Sequence, residues 1–266
     1  MKLCVIGGAG ARSAFLTKSL VKSTRDIRVD HIVLLDNDQQ KLKTYGEISR
    51  ELSRRLDPDL TFEVTSDARA ALTGVDYIIT TIRAGGDAGR LFDEQTCLAH
   101  GVLGQETTGA GGFAMAIRSV PTLVYYCTLA REVANPGHLI FNFTNPSGII
   151  TQALRSKGFD NVYGICDAPS GFIKQLEEIL EIPYGTLDIE CYGLNHLSWF
   201  RNAKVNGRDV QRELLDNPRT YEHSEMRLFT REMARISGDC MLNEYLYFYY
   251  RRVKSLSMIQ KADHPR

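Results

Sequence analysis

The chain carries no net charge, since 32 Lys and Arg residues balance 32 Asp and Glu. Proteins that grip a nucleic-acid backbone normally show a clustered basic surplus, so this balance argues against a nucleic-acid partner. No apolar stretch approaches the roughly 18 residues of a membrane span, which argues against a membrane partner. The opening residues, Met1 to Gly7, enter a strand pattern at once, without the n-region or cleavage site of a signal peptide. Cysteine is sparse, and Cys4, Cys97, Cys127, Cys166, Cys191 and Cys240 include no Cys-x-x-Cys pair. That pattern implies reduced thiols and a cytoplasmic setting. What is present, 43% hydrophobic and 24% charged residues over 266 positions, describes a globular chain. It has room for one nucleotide-binding α/β domain and part of a second, acting on something small.

Six short runs of branched and aromatic residues predict strands: Leu3–Ile6, Ile32–Leu35, Phe62–Thr65, Tyr77–Ile82, Leu139–Phe143 and Val162–Ile165. Most are apolar throughout, as expected of strands covered on both faces. Between them, Ala14–Ser23, Gln39–Leu56, Phe113–Val133 and Gly148–Ser156 predict helices. Such alternation is the pattern of a Rossmann-like, doubly wound parallel sheet. After Asp167 the rhythm changes. An amphipathic helix through Phe172, Ile173, Leu176, Ile179 and Leu180 is followed by two strand-like runs, Leu187–Tyr192 and Trp199–Val205. A charged helical stretch near Glu222–Arg235 and an aromatic run, Tyr245–Tyr250, come next. The expectation is a nucleotide domain over 1–168, then the start of an incomplete α+β substrate domain over 169–266.

The turn Gly7-Gly8-Ala9-Gly10-Ala11-Arg12-Ser13 joins the first strand to the first helix. Read as Gly8-x-Gly10-x-x-Ser13, it is a dinucleotide fingerprint with serine in place of the last glycine. Gly7, Gly8 and Gly10 allow a tight turn and close approach of a pyrophosphate to the helix N-terminus. Asp36, closing the second strand, suits the ribose hydroxyls of NAD and would repel the extra phosphate of NADP. The remaining strand ends lead into Arg83 to Arg90, Asn142 to Pro146, and Cys166-Asp167-Ala168-Pro169. Ligands of open α/β sheets bind at such ends. Taken alone, an Asn-Pro turn is equally turn chemistry, and a lone Cys or His is more often structural. Cys166 and His196, 30 residues apart, form no compact zinc motif.

Five segments together carry more information: Gly104-Gln-Glu-Thr-Thr-Gly-Ala-Gly-Gly112, Phe143-Thr-Asn-Pro146, Gly164-Ile-Cys-Asp-Ala-Pro169, Gly193-Leu-Asn-His-Leu-Ser-Trp199 and Asn243-Glu-Tyr-Leu-Tyr-Phe-Tyr249. In type and order they resemble the NAD-dependent family-four glycoside hydrolases, typified by 6-phospho-glucosidases. The resemblance implies a fold shared with lactate and malate dehydrogenases. It also implies a mechanism unlike two-carboxylate glycoside hydrolysis: C3 oxidation, C2 deprotonation, elimination, water addition and re-reduction. By matching motifs, Cys166 and His196 become ligands of a divalent metal, usually Mn²⁺, with substrate oxygens completing the shell. Tyr245 becomes the base for the C2 proton and Asp167 the group that assists the leaving aglycone. Arg90 and Arg266 become phosphate-binding residues, Asn145 holds sugar hydroxyls, and Ser13 is a candidate aid to the phosphate. Tyr247, Phe248, Tyr249 and Tyr250 are expected to be core packing.

Asp167 after the metal cysteine resembles 6-phospho-α-glucosidases, whereas the Gly193–Trp199 and Phe143–Pro146 segments resemble 6-phospho-β-glucosidases. The expectation is therefore a 6-phospho-β-glucosidase acting on a phosphorylated disaccharide or glucoside. The alternatives are the α-specific or non-phosphorylated enzyme of the family, a non-catalytic NAD-binding relative, and a simple 2-hydroxy-acid dehydrogenase. Family members continue beyond the point matching Arg266. The resemblance thus implies that the rest of the sugar domain and much of a homo-oligomer interface belong to that missing portion.

Overall fold

The computed structural model describes residues 1–261 in two compact units. The first holds Met1–Leu91 and Gly112–Ile165, and the second holds Phe92–Gly111 and the chain from Cys166 onward. Two continuous helices, Gly86–Ala99 and Gly109–Val133, carry the chain out of the first unit and back. Division of the sequence into consecutive blocks has no place for this excursion, because nothing in helical periodicity marks a change of unit.

In the first unit, β1 (Lys2–Ile6), β2 (His31–Leu35), β3 (Thr61–Thr65), β4 (Tyr77–Thr80), β5 (Leu139–Asn142) and β6 (Val162–Gly164) form one sheet. Its order is β3-β2-β1-β4-β5-β6, with every neighbouring pair parallel. This is the doubly wound order, with its switch point between β1 and β4. The six runs all become strands; β1 and β2 bury both faces as central parallel strands do, while the edge strands β3 and β6 are partly exposed. Cys4, Val5, Ile6 and Ile32 to Leu35 are each no more than 2% exposed. Their alternation divides them cleanly. Cys4, Ile6, Val33 and Leu35 pack with Leu123, Cys127 and Ala130 of the helix Gly109–Val133, while Val5, Ile32 and Leu34 pack with Val21 of the helix Ser13–Ile27.

Among the described helices, Gly109–Val133 is long and apolar enough to cross a membrane by length and composition alone. This corrects the expectation that no apolar stretch approaches that length; Arg118 and Pro121 interrupt the helix's apolar residues and hide it in the sequence. Its buried Leu123, Cys127 and Ala130 instead make it a core helix of the first unit.

Three local expectations change. The helix expected over Gln39–Leu56 contains a π turn at Leu42–Gly46, where Gly46 backs onto Val64 of β3. The helix Gly86–Ala99 was unexpected because its glycine-rich start reads as loop. The charged stretch near Glu222–Arg235 is three short pieces, Thr220–His223, a 3-10 turn at Glu225–Leu228, and Arg231–Ile236. Ser224 and Thr230 break it, each turning its side chain onto a following backbone N–H as a helix cap.

The second unit is built on an antiparallel hairpin of β7 (Leu187–Leu194) and β8 (Leu197–Val205), flanked by β9 (Arg208–Asp209) and β10 (Met241–Leu242). The helix Ala168–Leu180 lays Phe172, Leu176 and Ile179 into the same core as Phe200 of β8. Phe172 and Phe200 meet edge to face at 4.9 Å and are at most 1% exposed. Each contributes on the order of 2–3 kcal/mol by burial, which anchors the helix whose N-terminus follows Cys166.

Candidate functional site

In the first unit the glycine turn follows β1 directly. Gly7 has φ +84°, and a Cβ there would lie 2.7 Å from the Thr81 carbonyl oxygen. A Cβ on Gly8 would lie 2.9 Å from both the Leu34 Cβ and the Val5 carbonyl oxygen. These two glycines are therefore required by the fold itself. Gly10 differs, because a Cβ there would meet nothing within 4 Å. Its bare backbone faces open space at the N-terminus of the 15-residue helix Ser13–Ile27, where unpaired N–H groups and the helix dipole favour an anion.

Asp36 ends β2 and accepts hydrogen bonds from the Ala9 N–H through Oδ2 and the Asp38 N–H through Oδ1, both at 3.1 Å. Gly7, Gly8, Gly10 and Asp36 are thus brought together, with carboxylate lone pairs remaining for further donors. Ser13 is otherwise engaged: its hydroxyl lies 2.5 Å from the Gly8 carbonyl and 2.6 Å from the Gly10 carbonyl, bracing the turn.

The end of β5 holds a buried polar network that the sequence did not reveal. The Thr80 hydroxyl donates to Asn142 Oδ1 at 2.8 Å, and Asn142 Nδ2 donates to the Thr151 hydroxyl at 3.1 Å. The Ile82 N–H donates to the Thr144 hydroxyl at 3.1 Å. Asn142 is fully buried and fixes the loop that carries Asn145, which is half-buried and followed by a cis Pro146. Arg90 lies half-buried on the helix Gly86–Ala99, and Arg266 lies outside the described residues.

The second unit brings Cys166, His196 and Tyr245 together. The hairpin register pairs Leu194 with Leu197, leaving Asn195 and His196 as a two-residue turn. His196 sits at φ +59°, the left-handed region that a non-glycine residue seldom occupies. Its Nε2 lies 3.4 Å from Cys166 Sγ, and its ring stacks on Tyr245 with centroids 4.6 Å apart at 21°. Burial pushes the His196 imidazole below its ordinary value, against the opposing pull of Glu225, Asp167, Glu244 and Glu106. The neutral ring, the form that ligates a metal, is thereby favoured.

Two ligands at roughly 2.1 Å and 2.3 Å from one ion stand roughly 3.1–3.6 Å apart at bond angles of roughly 90–110°. The Cys166–His196 separation fits that range. Beside them the Asn195 side-chain oxygen is buried without a hydrogen-bond partner. Among the described residues no three His, Cys, Asp or Glu gather as a metal cluster, so this pair would leave a metal open to other ligands. By contrast, burial drives the Cys4 and Cys127 thiols up to about 12, which keeps them protonated and inert. Asp167 precedes the helix Ala168–Leu180, is exposed, and makes no capping hydrogen bond with its side chain.

Sequence reasoning missed Glu225, which the 3-10 turn places against Asn243 and Glu244, next to Tyr245 in the chain. Glu225 is 9% exposed, and its Oε2 accepts from Asn243 Nδ2 at 2.9 Å and the Glu244 N–H at 3.0 Å. Desolvation pushes its carboxyl up to about 7. A carboxyl so raised favours folding fully below the ordinary carboxylate range, and that contribution fades as pH climbs through 7. Glu225→Gln, which mimics the protonated form, should therefore gain on the natural protein by on the order of 3 kcal/mol between pH 4.5 and pH 8. Parallel thermal-unfolding curves for the two proteins across that range would refute this.

The aromatic run is less buried than expected. Tyr247 is core, meeting Phe229 edge to face at 5.9 Å, but Tyr249 and Tyr250 are 44% and 45% exposed. The Tyr249 hydroxyl donates to the Thr108 hydroxyl at 2.8 Å. It thereby holds the loop before the helix Gly109–Val133, in which Gln105 Oε1 accepts from the Thr107 and Thr108 N–H groups at 2.9 and 2.7 Å.

Comparison with known proteins places these features in a family. Residues 2–182 match the model of the family 4 glycosyl hydrolases, and residues 191–265 match that of the family 4 glycosyl hydrolase C-terminal domain. The chain is 35% identical over 219 residues to the 6-phospho-beta-glucosidase BglT of Thermotoga maritima, covering 82% of this chain and 51% of that relative. It is 30% identical over 267 residues to the phospho-alpha-glucosidase PagL of Clostridium acetobutylicum, covering 93% of this chain and 59% of the relative. A solved structure of the Thermotoga maritima 6-phospho-beta glucosidase, with manganese, NAD+ and glucose-6-phosphate, aligns with TM-score 0.89 and 30% identity. That alignment covers 99% of this chain and 62% of that one. The chain spans about half the length of the curated relatives it matches.

Proposed function

The chain belongs to the family 4 glycosyl hydrolases, and on that premise we propose that it hydrolyses 6-phospho-glucosides, β-linked ones by preference, with NAD⁺ and a divalent cation such as Mn²⁺. The observation that carries this reading is the close set of Cys166, His196 and Tyr245: a thiol and an imidazole 3.4 Å apart with a tyrosine ring stacked on the imidazole. The open backbone at Gly10 and the Asp36 carboxylate support dinucleotide binding by the first unit. The second unit begins the sugar- and metal-binding domain.

A bound dinucleotide would supply reversible hydride chemistry at the sugar C3, and a bound cation would supply stabilisation of negative charge on the sugar oxygens. Water adds at C1 after the aglycone leaves, and the chain's own groups do the rest. Cys166 and His196 would hold the cation, and the left-handed turn keeps the imidazole pointed at the thiol. Tyr245 removes the C2 proton. A phenol with an ordinary value near 10 is a weak base at neutral pH, so its activity depends on nearby positive charge. Asp167, uncommitted to capping, donates a proton to the departing aglycone oxygen. Arg90 and Arg266 take the 6-phosphate as planar donors, and Asn145 takes sugar hydroxyls. Association of chains into a homo-oligomer and a cytoplasmic location complete the reading.

Asp167 also favours a second reading, a 6-phospho-α-glucosidase, since an aspartate after the metal cysteine resembles the α-specific members. One assay separates the two. Purified protein with NAD⁺, Mn²⁺ and reductant is given the α- and β-linked p-nitrophenyl glucoside 6-phosphates. Nitrophenol release is expected from the β-substrate, dependent on both additions and abolished in Cys166→Ser. Preferential release from the α-substrate would select the second reading, and no release from either would reject both. Oxidation of the Cys166 thiol should abolish turnover, with recovery on adding reductant if the damage stops at the sulfenic acid or a disulfide.

A further inference from the structure

Three separate stretches of the second unit carry the grouped side chains. Cys166 and Asp167 precede the helix Ala168–Leu180, His196 lies in the β7–β8 turn, and Tyr245 precedes the short helix Leu246–Tyr250. All three stretches are tied to one buried polar knot around Glu225, a residue outside the five motif segments. The Glu225 N–H donates to Gln175 Oε1 of the first helix at 3.0 Å. Its Oε2 receives both the Asn243 side-chain amide at 2.9 Å and the Glu244 N–H at 3.0 Å. Asn243 is 2% exposed and passes the connection on in two directions. Its N–H donates to the Ser198 carbonyl of β8 at 3.0 Å, and its Oδ1 accepts the Tyr245 N–H at 3.2 Å.

We propose that Glu225 is a positioning residue, whose buried carboxylate holds Asn243 and Glu244 in place so that the Tyr245 ring stays against the His196 imidazole. A carboxyl group is an expensive choice for this location. Its neighbours in sequence and space, Met226, Met241 and Leu242, are fully buried. Apolar side chains would fill the same volume at no cost in desolvation. What apolar groups cannot do is fix the backbone register of residues 243–245. Two hydrogen bonds converging on one oxygen do so, and Tyr245 lies only one residue past the second donor.

The proposal rests on the reading of Tyr245 as a catalytic residue, but its geometry is testable without turnover. A tyrosine ring stacked 4.6 Å from an imidazole shifts the ring-proton resonances of that histidine. With six histidines in the chain, the His196 signals can be assigned by His196→Gln in protein labelled with ring-¹³C histidine. Tyr245→Leu marks where those signals fall once stacking is lost.

Glu225→Ala should move the His196 signals to the Tyr245→Leu position. Glu225→Gln retains one oxygen able to accept both donors, so it should keep the signals near the natural position. If the alanine variant is insoluble, Asn243→Ser cuts the same knot at its other end and should give the same displacement. In the glycosidase assay Glu225→Ala should lower kcat about 100-fold with KM changed less than threefold, the cost of a misplaced catalytic group, and Glu225→Gln should restore most of it. His196 signals unmoved by Glu225→Ala, or displaced equally by Glu225→Gln, would overturn the proposal. Should the natural protein hydrolyse neither substrate, the functional reading fails, and the resonance shifts still decide whether Glu225 positions Tyr245.

Discussion

Tyr245→Phe is expected to lower kcat on the phosphorylated glucoside about a thousandfold while leaving KM nearly unchanged. Phenylalanine keeps the ring that stacks on His196 at 4.6 Å and meets Phe248 at 5.5 Å. Only the hydroxyl is lost. If that oxygen removes the C2 proton, the loss falls on the chemical step and spares substrate binding. The decisive measurement is exchange of the sugar C2 hydrogen with D₂O, which requires deprotonation and not completed hydrolysis. Exchange should continue in Asp167→Asn, where only departure of the aglycone is impaired, and stop in Tyr245→Phe. A tenfold or smaller fall in kcat with C2 exchange intact would assign the base elsewhere.

The second large effect separates two glycines three residues apart. Gly7→Ala should destabilise the protein by on the order of 3 kcal/mol or more, because the left-handed backbone is costly for alanine and the methyl would overlap the Thr81 carbonyl. Thermal unfolding would show this with no ligand present. Gly10→Ala should leave the melting temperature unchanged, since its methyl meets nothing within 4 Å. It should nevertheless weaken NAD⁺ binding at least tenfold by calorimetry, because the methyl stands where a pyrophosphate approaches the helix. Unaltered NAD⁺ affinity in Gly10→Ala would mean that the turn only connects a strand to a helix.

The parts of this protein that were legible in its sequence share a physical basis in periodicity and local chemistry. Central parallel strands are apolar on both faces and edge strands keep branched and aromatic residues, so all six strand positions are legible to within one or two residues at their ends. The glycine turn was equally readable, because tight strand–helix turns demand glycine whatever surrounds them. Failures came where long-range packing competes with local pattern. The helix Gly86–Ala99 begins with glycines whose local preference is for loop. The stretch near Glu222–Arg235 looks helical by composition, yet serine and threonine caps divide it into three. Tyr249 reads as core, yet its hydroxyl is used on Thr108, 141 residues away.

The sequence by itself determined the sheet, the nucleotide turn and the family, because these depend on residue type at short, fixed spacing. It named Cys166, His196 and Tyr245 only through resemblance, since spacings of 30 and 49 residues hide any geometry between them. Tertiary structure alone decided that they meet, with the imidazole between a thiol and a phenol ring. It also decided that, in the turn after β1, Gly7 and Gly8 serve the fold while Gly10 faces open space. Glu225 belongs wholly to that second class. A glutamate in a charged segment looks solvated, and only the folding of the 3-10 turn against residues 243–245 removes it from water and makes its hydrogen bonds count.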